Sequence, residues 1–176
     1  MRKLGLIAGG GNLPVEIAQH CERAGRPFFI IRLKGFAGEG IARFPGADIG
    51  IAELGKCSKA LKRAGCEAVT LVGTVDRPDF KALSPDLRGL MALPGVIAAA
   101  RKGDDALLRQ LLGEFEKEGF AVEGAHEVMG DLTLTAGPLG AVAPSEEQMA
   151  DVQHALRVAR AIGQLDVGQG AVVCEG

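Results

Sequence analysis

Tryptophan and tyrosine are absent from the 176-residue chain, and aromatic residues make up only 4% of it. Base-stacking platforms for nucleic acid would rest on seven phenylalanines, which argues against that class of partner. A strong charge of one sign is missing too. The formal net charge is −2, and no long basic run is present to track a phosphate backbone. No apolar stretch is long enough to span a bilayer. The apolar run behind Met1-Arg2-Lys3 is short and is broken by Gly9 to Gly11, so it does not read as a secretion signal. Cys21, Cys57, Cys66 and Cys174 include no C-x-x-C pairing. They read as reduced thiols of a cytoplasmic protein.

What the chain has is apolar residues, at 47%, and a regular alternation of patterns. Residues 4–8 predict a buried strand, and Pro14 opens an amphipathic helix through Ile17, Ala18, Cys21 and Ala24 that Gly25 closes. Further strands are predicted at 27–33, 47–51, 67–72 and 120–122. Helical segments fall between them: one around Cys57 to Ala64, one over 86–101 interrupted or kinked at Pro94-Gly95, and one over 104–118. Strands alternating with helices imply an α/β fold with a parallel, Rossmann-like sheet, here over residues 1–135. Residues 136–176 read as a connector and the start of a second, incomplete α/β domain. Ser145 to Gln148 form a capping box ahead of a helix with a core-type stripe of Met149, Val152, Leu156, Ala159 and Ile162. Ala171-Val-Val predicts a strand.

In an open parallel sheet, ligands bind beyond the carboxyl ends of the strands. Three unusual clusters follow predicted strands and so fall at one edge: Gly9-Gly10-Gly11-Asn12, Gly73 to Asp79, and Gly124 to Glu127. Gly10, Gly11 and Asn12 suit a phosphate cradle at a helix start, or a tight turn capped by Asn12. Arg77, beside Asp76, suits a bidentate phosphate clamp or a surface ion pair. His126 and Glu127 suit acid–base work or ligand hydrogen bonding, with a structural role as the alternative. Gln169 lies in a glycine-flanked loop that is either a second wall of the site or a plain turn. Asp131 and Asp166 are candidate oxygen ligands for Mg²⁺, against the commoner surface or capping role. The G-x-G-x-x-G pattern is incomplete, since Pro14 replaces its third glycine, and Arg32 and Lys34 stand where a ribose-gripping acid would be. Plain NAD is disfavoured; an NADP-like 2′-phosphate is not excluded.

The segments "LGLIAGGGNLPVEIA" at 4–18, "GTVDRPDF" at 73–80, "AARKGDDALLR" at 99–109, "EGFAVEGAHEVM" at 118–129 and "DVGQGAVVCEG" at 166–176 resemble the LpxI family. That resemblance implies a UDP-2,3-diacylglucosamine diphosphatase of lipid A biosynthesis. Such an enzyme releases UMP and 2,3-diacylglucosamine 1-phosphate with a divalent cation such as Mg²⁺. It implies work at the cytoplasmic side of the inner membrane of Gram-negative bacteria, with peripheral membrane contact. It also implies an N-terminal Rossmann-like domain and a C-terminal domain with the lipid between them. Family members are longer, so the chain is expected to be truncated, with the catalytic aspartate beyond Gly176. The substrate-binding set expected here is Gly10, Gly11, Asn12, Asp76, Arg77, His126, Glu127 and Gln169. Two rival readings use the same sheet: a nucleotide-sugar transferase or oxidoreductase, and a non-catalytic nucleotide-binding module.

Overall fold

A computed structural model describes the chain except residues 77–82, 131–136, 138–139, 166 and 175. The first strand, β1 (Leu4–Ala8), is buried along its whole length. Alternate residues of a strand face opposite sides of its sheet. Leu4, Leu6 and Ala8 accordingly pack on one side with Ile17, Ala18 and Cys21 of α1 (Leu13–Arg23). Ile7 packs on the other side with Cys57 and Leu61 of α2 (Leu54–Arg63). Gly5 faces α2 as well, and a Cβ there would stand 2.5 Å from Leu61 Cδ2. The missing side chain is therefore the space that the Leu61 isobutyl group fills.

The remaining strands are β2 (Phe28–Leu33), β3 (Gly46–Ile49), β4 (Ala68–Val72) and β5 (Ala121–Val122). They form one parallel sheet in the order β3-β2-β1-β4-β5, the Rossmann-like α/β arrangement that the alternation implies. Helices α3 (Leu87–Ala100) and α4 (Asp104–Lys117) pack on each other beside α2. The short α5 (Ala125–Met129) lies against α1. Gly25, Gly65 and Gly119 end their helices with positive φ, as their places after the last apolar positions predict.

Ion pairs tie the outer helices. Arg88 reaches Glu114 Oε2 at 3.6 Å and also Glu118, which in turn holds Lys62, so α2, α3 and α4 share one network. Asp86 does more. Its carboxylate caps α3 by accepting from Gly89 N at 2.8 Å, and it accepts from Lys56 N in the first turn of α2 at 2.8 Å. A Cβ on Gly89 would lie 1.9 Å from the Ala52 carbonyl, so only glycine lets α3 start this close to α2.

Three expectations are corrected. Helix α3 runs unbroken through Pro94. The neighbouring Gly95 faces the Gln110 side chain of α4, its Cβ position 3.2 Å away, so it serves helix contact instead of a break. Residues 171–173 are not a strand. Their segment turns back along α6 (Glu146–Gln164), with Val167 N on Ile162 O at 3.2 Å and Gly176 N on Asp151 Oδ1 at 3.1 Å. The α6 stripe is not core: Met149 is 41%, Val152 41% and Leu156 45% exposed, and no residue of α6 is buried. Only the helix with its capping box, Ser145 with Gln148, forms as its local sequence predicts.

Burial raises the Asp86 pKa, but backbone N–H groups of Gly89, Lys56, Gly55 and Arg88 outweigh it and hold the carboxyl below its usual range. A native pKa below the unfolded one means that the stabilisation is complete above about 3.9 and is lost as pH falls through the native value. Asp86→Ala is expected to cost about 1–2 kcal/mol at neutral pH. In urea unfolding, the gap to the wild type should shrink as pH falls below about 4. Leu61→Ala, which empties the space over Gly5, is expected to cost about 2–5 kcal/mol at any pH.

Candidate functional site

The strand order reverses between β1 and β4, where the chain leaves β1 toward β2 on one side and β4 toward β5 on the other. In this class of sheet the crevice at such a reversal receives ligands. Here its inner part is closed by backbone. Gly9 N donates to Val72 O at 2.8 Å, Gly10 N to Thr74 O at 2.8 Å, and Thr74 N to Gly10 O at 3.0 Å. The last two bonds form an isolated antiparallel bridge that joins the loops after β1 and β4.

That bridge explains most of the glycines. A Cβ on Gly9 would stand 2.5 Å from the Thr74 carbonyl, and one on Gly73 would stand 2.5 Å from the Gly10 carbonyl. Gly73 also has φ +97°, which favours glycine by itself. Gly10 is hemmed in less tightly, by Thr74 Oγ1 at 2.9 Å and Phe36 O at 3.2 Å from its Cβ position. Gly11 differs from all three. It has φ +84°, is exposed, and meets none of the described residues within 4 Å of its Cβ position. Gly9 and Gly10 thus make room for the neighbouring loop, which Gly11 does not.

The chain then turns into α1. Asn12 is its N-cap, with no hydrogen bond from its side chain to the helix, and its residue is exposed. Its carbonyl accepts from Val15 N and Glu16 N. Pro14 has no N–H to donate. The N–H groups of Gly11, Asn12 and Leu13 have no acceptor among the described residues. Unpaired amides at a helix start, backed by the helix dipole, attract an anion. The starts of α2 and α3 at this edge share the Asp86 carboxylate, so their fields are already answered. Asp76 is exposed two residues past the bridge.

The other expected residues fall as follows. Arg77 lies outside the described residues, as do Asp131 and Asp166. Strand β5 ends with Val122 opposite Val69, well before β4 ends at Val72. Glu123 then holds Arg26, just past the far end of α1, at 2.8 Å. The His126–Glu127 pair follows in α5, which packs against α1 and β4. His126 is exposed, and Glu127 Oε2 accepts from Gly124 N at 2.6 Å, which caps α5. Gln169 is exposed in the segment that follows α6. Arg32, the residue that left a 2′-phosphate open, is already engaged: Nε and Nη2 bond Asp48 at 2.9 and 3.3 Å, and Nη1 bonds Phe44 O. Among the described residues no group of three or more His, Cys, Asp or Glu could hold a metal ion, and no helix is long and apolar enough to cross a membrane. All four cysteines are free, as expected.

Sequence profiles of two domains cover nearly all of the chain: the LpxI N-terminal domain at residues 3–132 and the LpxI C-terminal domain at residues 135–176. The chain belongs to the LpxI family. A curated member, the UDP-2,3-diacylglucosamine pyrophosphatase LpxI of Caulobacter vibrioides, is 65% identical over 176 residues, all of this chain. The chain spans 63% of that relative's length. The LpxI resemblance of the glycine-loop and Gly73 segments thus meets the structure at the one bridge that joins them.

Thr74, Phe36 and Asp86 escaped the sequence reading. The signal for Asp86 was present, since an aspartate three residues before Gly89 is a helix start with its first amide facing back. Thr74 lies in the Gly73 to Asp79 cluster, but neither it nor the Phe36 carbonyl carries a local signal of its approach to Gly10, because only the pairing of β2, β1 and β4 puts them there.

Gly9→Ala is expected to destabilise by about 1–3 kcal/mol in urea unfolding, because its clash is with a backbone carbonyl. Gly10→Ala clashes in part with a side chain, so adding Thr74→Ala should recover part of its loss. The same addition should recover none of the Gly9→Ala loss.

Proposed function

We propose that this chain carries the nucleotide-diphosphate-binding part of a UDP-2,3-diacylglucosamine pyrophosphatase. The reaction of the whole protein adds water across the diphosphate and yields UMP and 2,3-diacylglucosamine 1-phosphate. The observation that carries this reading is the start of α1. The N–H groups of Gly11, Asn12 and Leu13 have no acceptor among the described residues, and the Gly10–Thr74 bridge holds the loop before them in place. Their chemistry suits a phosphate oxygen, and membership of the LpxI family supplies the substrate class.

Each group then has a task that follows from its position. The amides and the dipole of α1 balance charge on the diphosphate without moving to do so, which is the economical form of electrostatic stabilisation. The Asn12 amide, unused by the helix, donates to a phosphate or a sugar hydroxyl. Asp76 accepts, so it suits a sugar or uracil donor better than a phosphate oxygen. Arg77 remains the proposed phosphate clamp, and His126, Glu127 and Gln169 the proposed outer contacts. The reaction is further proposed to use a divalent cation such as Mg²⁺, at the cytoplasmic face of the inner membrane. The described residues offer no carboxylate cluster for that cation, so no step is assigned to it here.

Titration of the chain with UDP tests this reading. Saturable binding should shift the amide resonances of Gly11, Asn12 and Leu13 more than those of α5 or α6, and inorganic phosphate should compete. UDP that leaves those three amides unmoved would overturn the assignment. Release of UMP from UDP-2,3-diacylglucosamine, followed by chromatography, reads the activity itself.

A further inference from the structure

Two oxygen atoms crowd the Cβ position of Gly10. A Cβ there would stand 2.9 Å from Thr74 Oγ1 and 3.2 Å from the carbonyl oxygen of Phe36. Thr74 is exposed, and both of its backbone polar groups are engaged with Gly10, at 3.0 and 2.8 Å. The main chain thus fixes where its side chain begins. The hydroxyl itself makes no hydrogen bond among the described residues. Val75, the next residue, turns to Gly9, its Cγ2 3.0 Å from the Gly9 Cβ position, and so leaves Thr74 alone on the Gly10 side.

A free hydroxyl held by backbone, one residue from the unpaired amide of Gly11, is a built hydrogen-bonding position. It can donate to an anion or accept from a sugar. The Phe36 carbonyl, also near the Gly10 Cβ position, accepts only and has no donor among the described residues. It cannot donate to a phosphate oxygen, whereas the Thr74 hydroxyl can. We propose that Thr74 contacts the ligand, its hydroxyl donating to a phosphate oxygen of the headgroup that the α1 amides hold. This assignment rests on the reading of the site as one for a nucleoside diphosphate.

The test compares Thr74→Val with Thr74→Ser by calorimetric titration with UDP, alongside thermal melting. Valine keeps the branched shape and both backbone bonds but removes the hydroxyl; serine keeps the hydroxyl. Thr74→Val is expected to weaken UDP binding about tenfold, the worth of one hydrogen bond to a charged partner, with an unchanged melting midpoint. Thr74→Ser should bind near the wild type. If Thr74→Val binds UDP as tightly as the wild type, the Thr74 assignment falls and the nucleotide reading stands. If both variants lose binding and melt early, the role is structural and the assignment falls too. If the wild type binds no UDP, both readings fall.

Discussion

Two backbone hydrogen bonds between Gly10 and Thr74 set the character of this molecule's working edge. They stitch the exits of the two central strands together just where a parallel sheet would otherwise open into a crevice. Three glycines follow from that stitch for steric reasons alone, since carbonyl oxygens occupy two of the Cβ positions and the Thr74 hydroxyl crowds the third. The site is then pushed outward by one residue, to Gly11 and the first amides of α1. A glycine-rich loop is often read as a ligand cradle throughout. Here most of it is a joint, and only at its last member, Gly11, does the Cβ position meet none of the described residues.

Charge placement at that edge is consistent with the same division. Asp86 answers two helix starts at once, those of α2 and α3, and binds the helices to each other as it does so. Glu127 answers the start of α5. Arg32 is bidentate on Asp48 across adjacent strands. Polar groups that looked available in the sequence are thereby used up within the fold, whereas the amides at the start of α1 are not. Buried polar groups are nearly always paired, so an unpaired set at the surface is where a ligand has something to gain.

Membership of the LpxI family and the geometry speak to different parts of the same question. The family supplies the substrate class proposed for the chain, through a relative named as a UDP-2,3-diacylglucosamine pyrophosphatase. The structure supplies an exposed helix start at Gly11 and Asn12, where the amides have no acceptor among the described residues. Helix α6 forms, capped by Ser145, but leaves Met149, Val152 and Leu156 exposed, so it takes no part in the sheet's core.

Local order determined much of this by itself. Alternating apolar residues in β1, periodic faces in α1 and α2, and glycines past the helix ends make the elements and their parallel arrangement legible, because each depends on neighbours a few residues away. The Ser145 box and the glycine-loop start of α1 are equally local. What only the tertiary structure decided are matters of register and long-range pairing. Pro94 sits within a continuous helix that packs on α4, and residues 171–173 pair with no strand among the described residues. Strand β5 stops level with Val69, and Glu123 just beyond it pairs with Arg26 past the end of α1. Thr74 meets Gly10 across 64 residues of chain, a contact that no local pattern encodes. Sequence patterns report which face of an element is apolar; they do not report where two elements stop relative to each other, and that offset decides which side chains share a site.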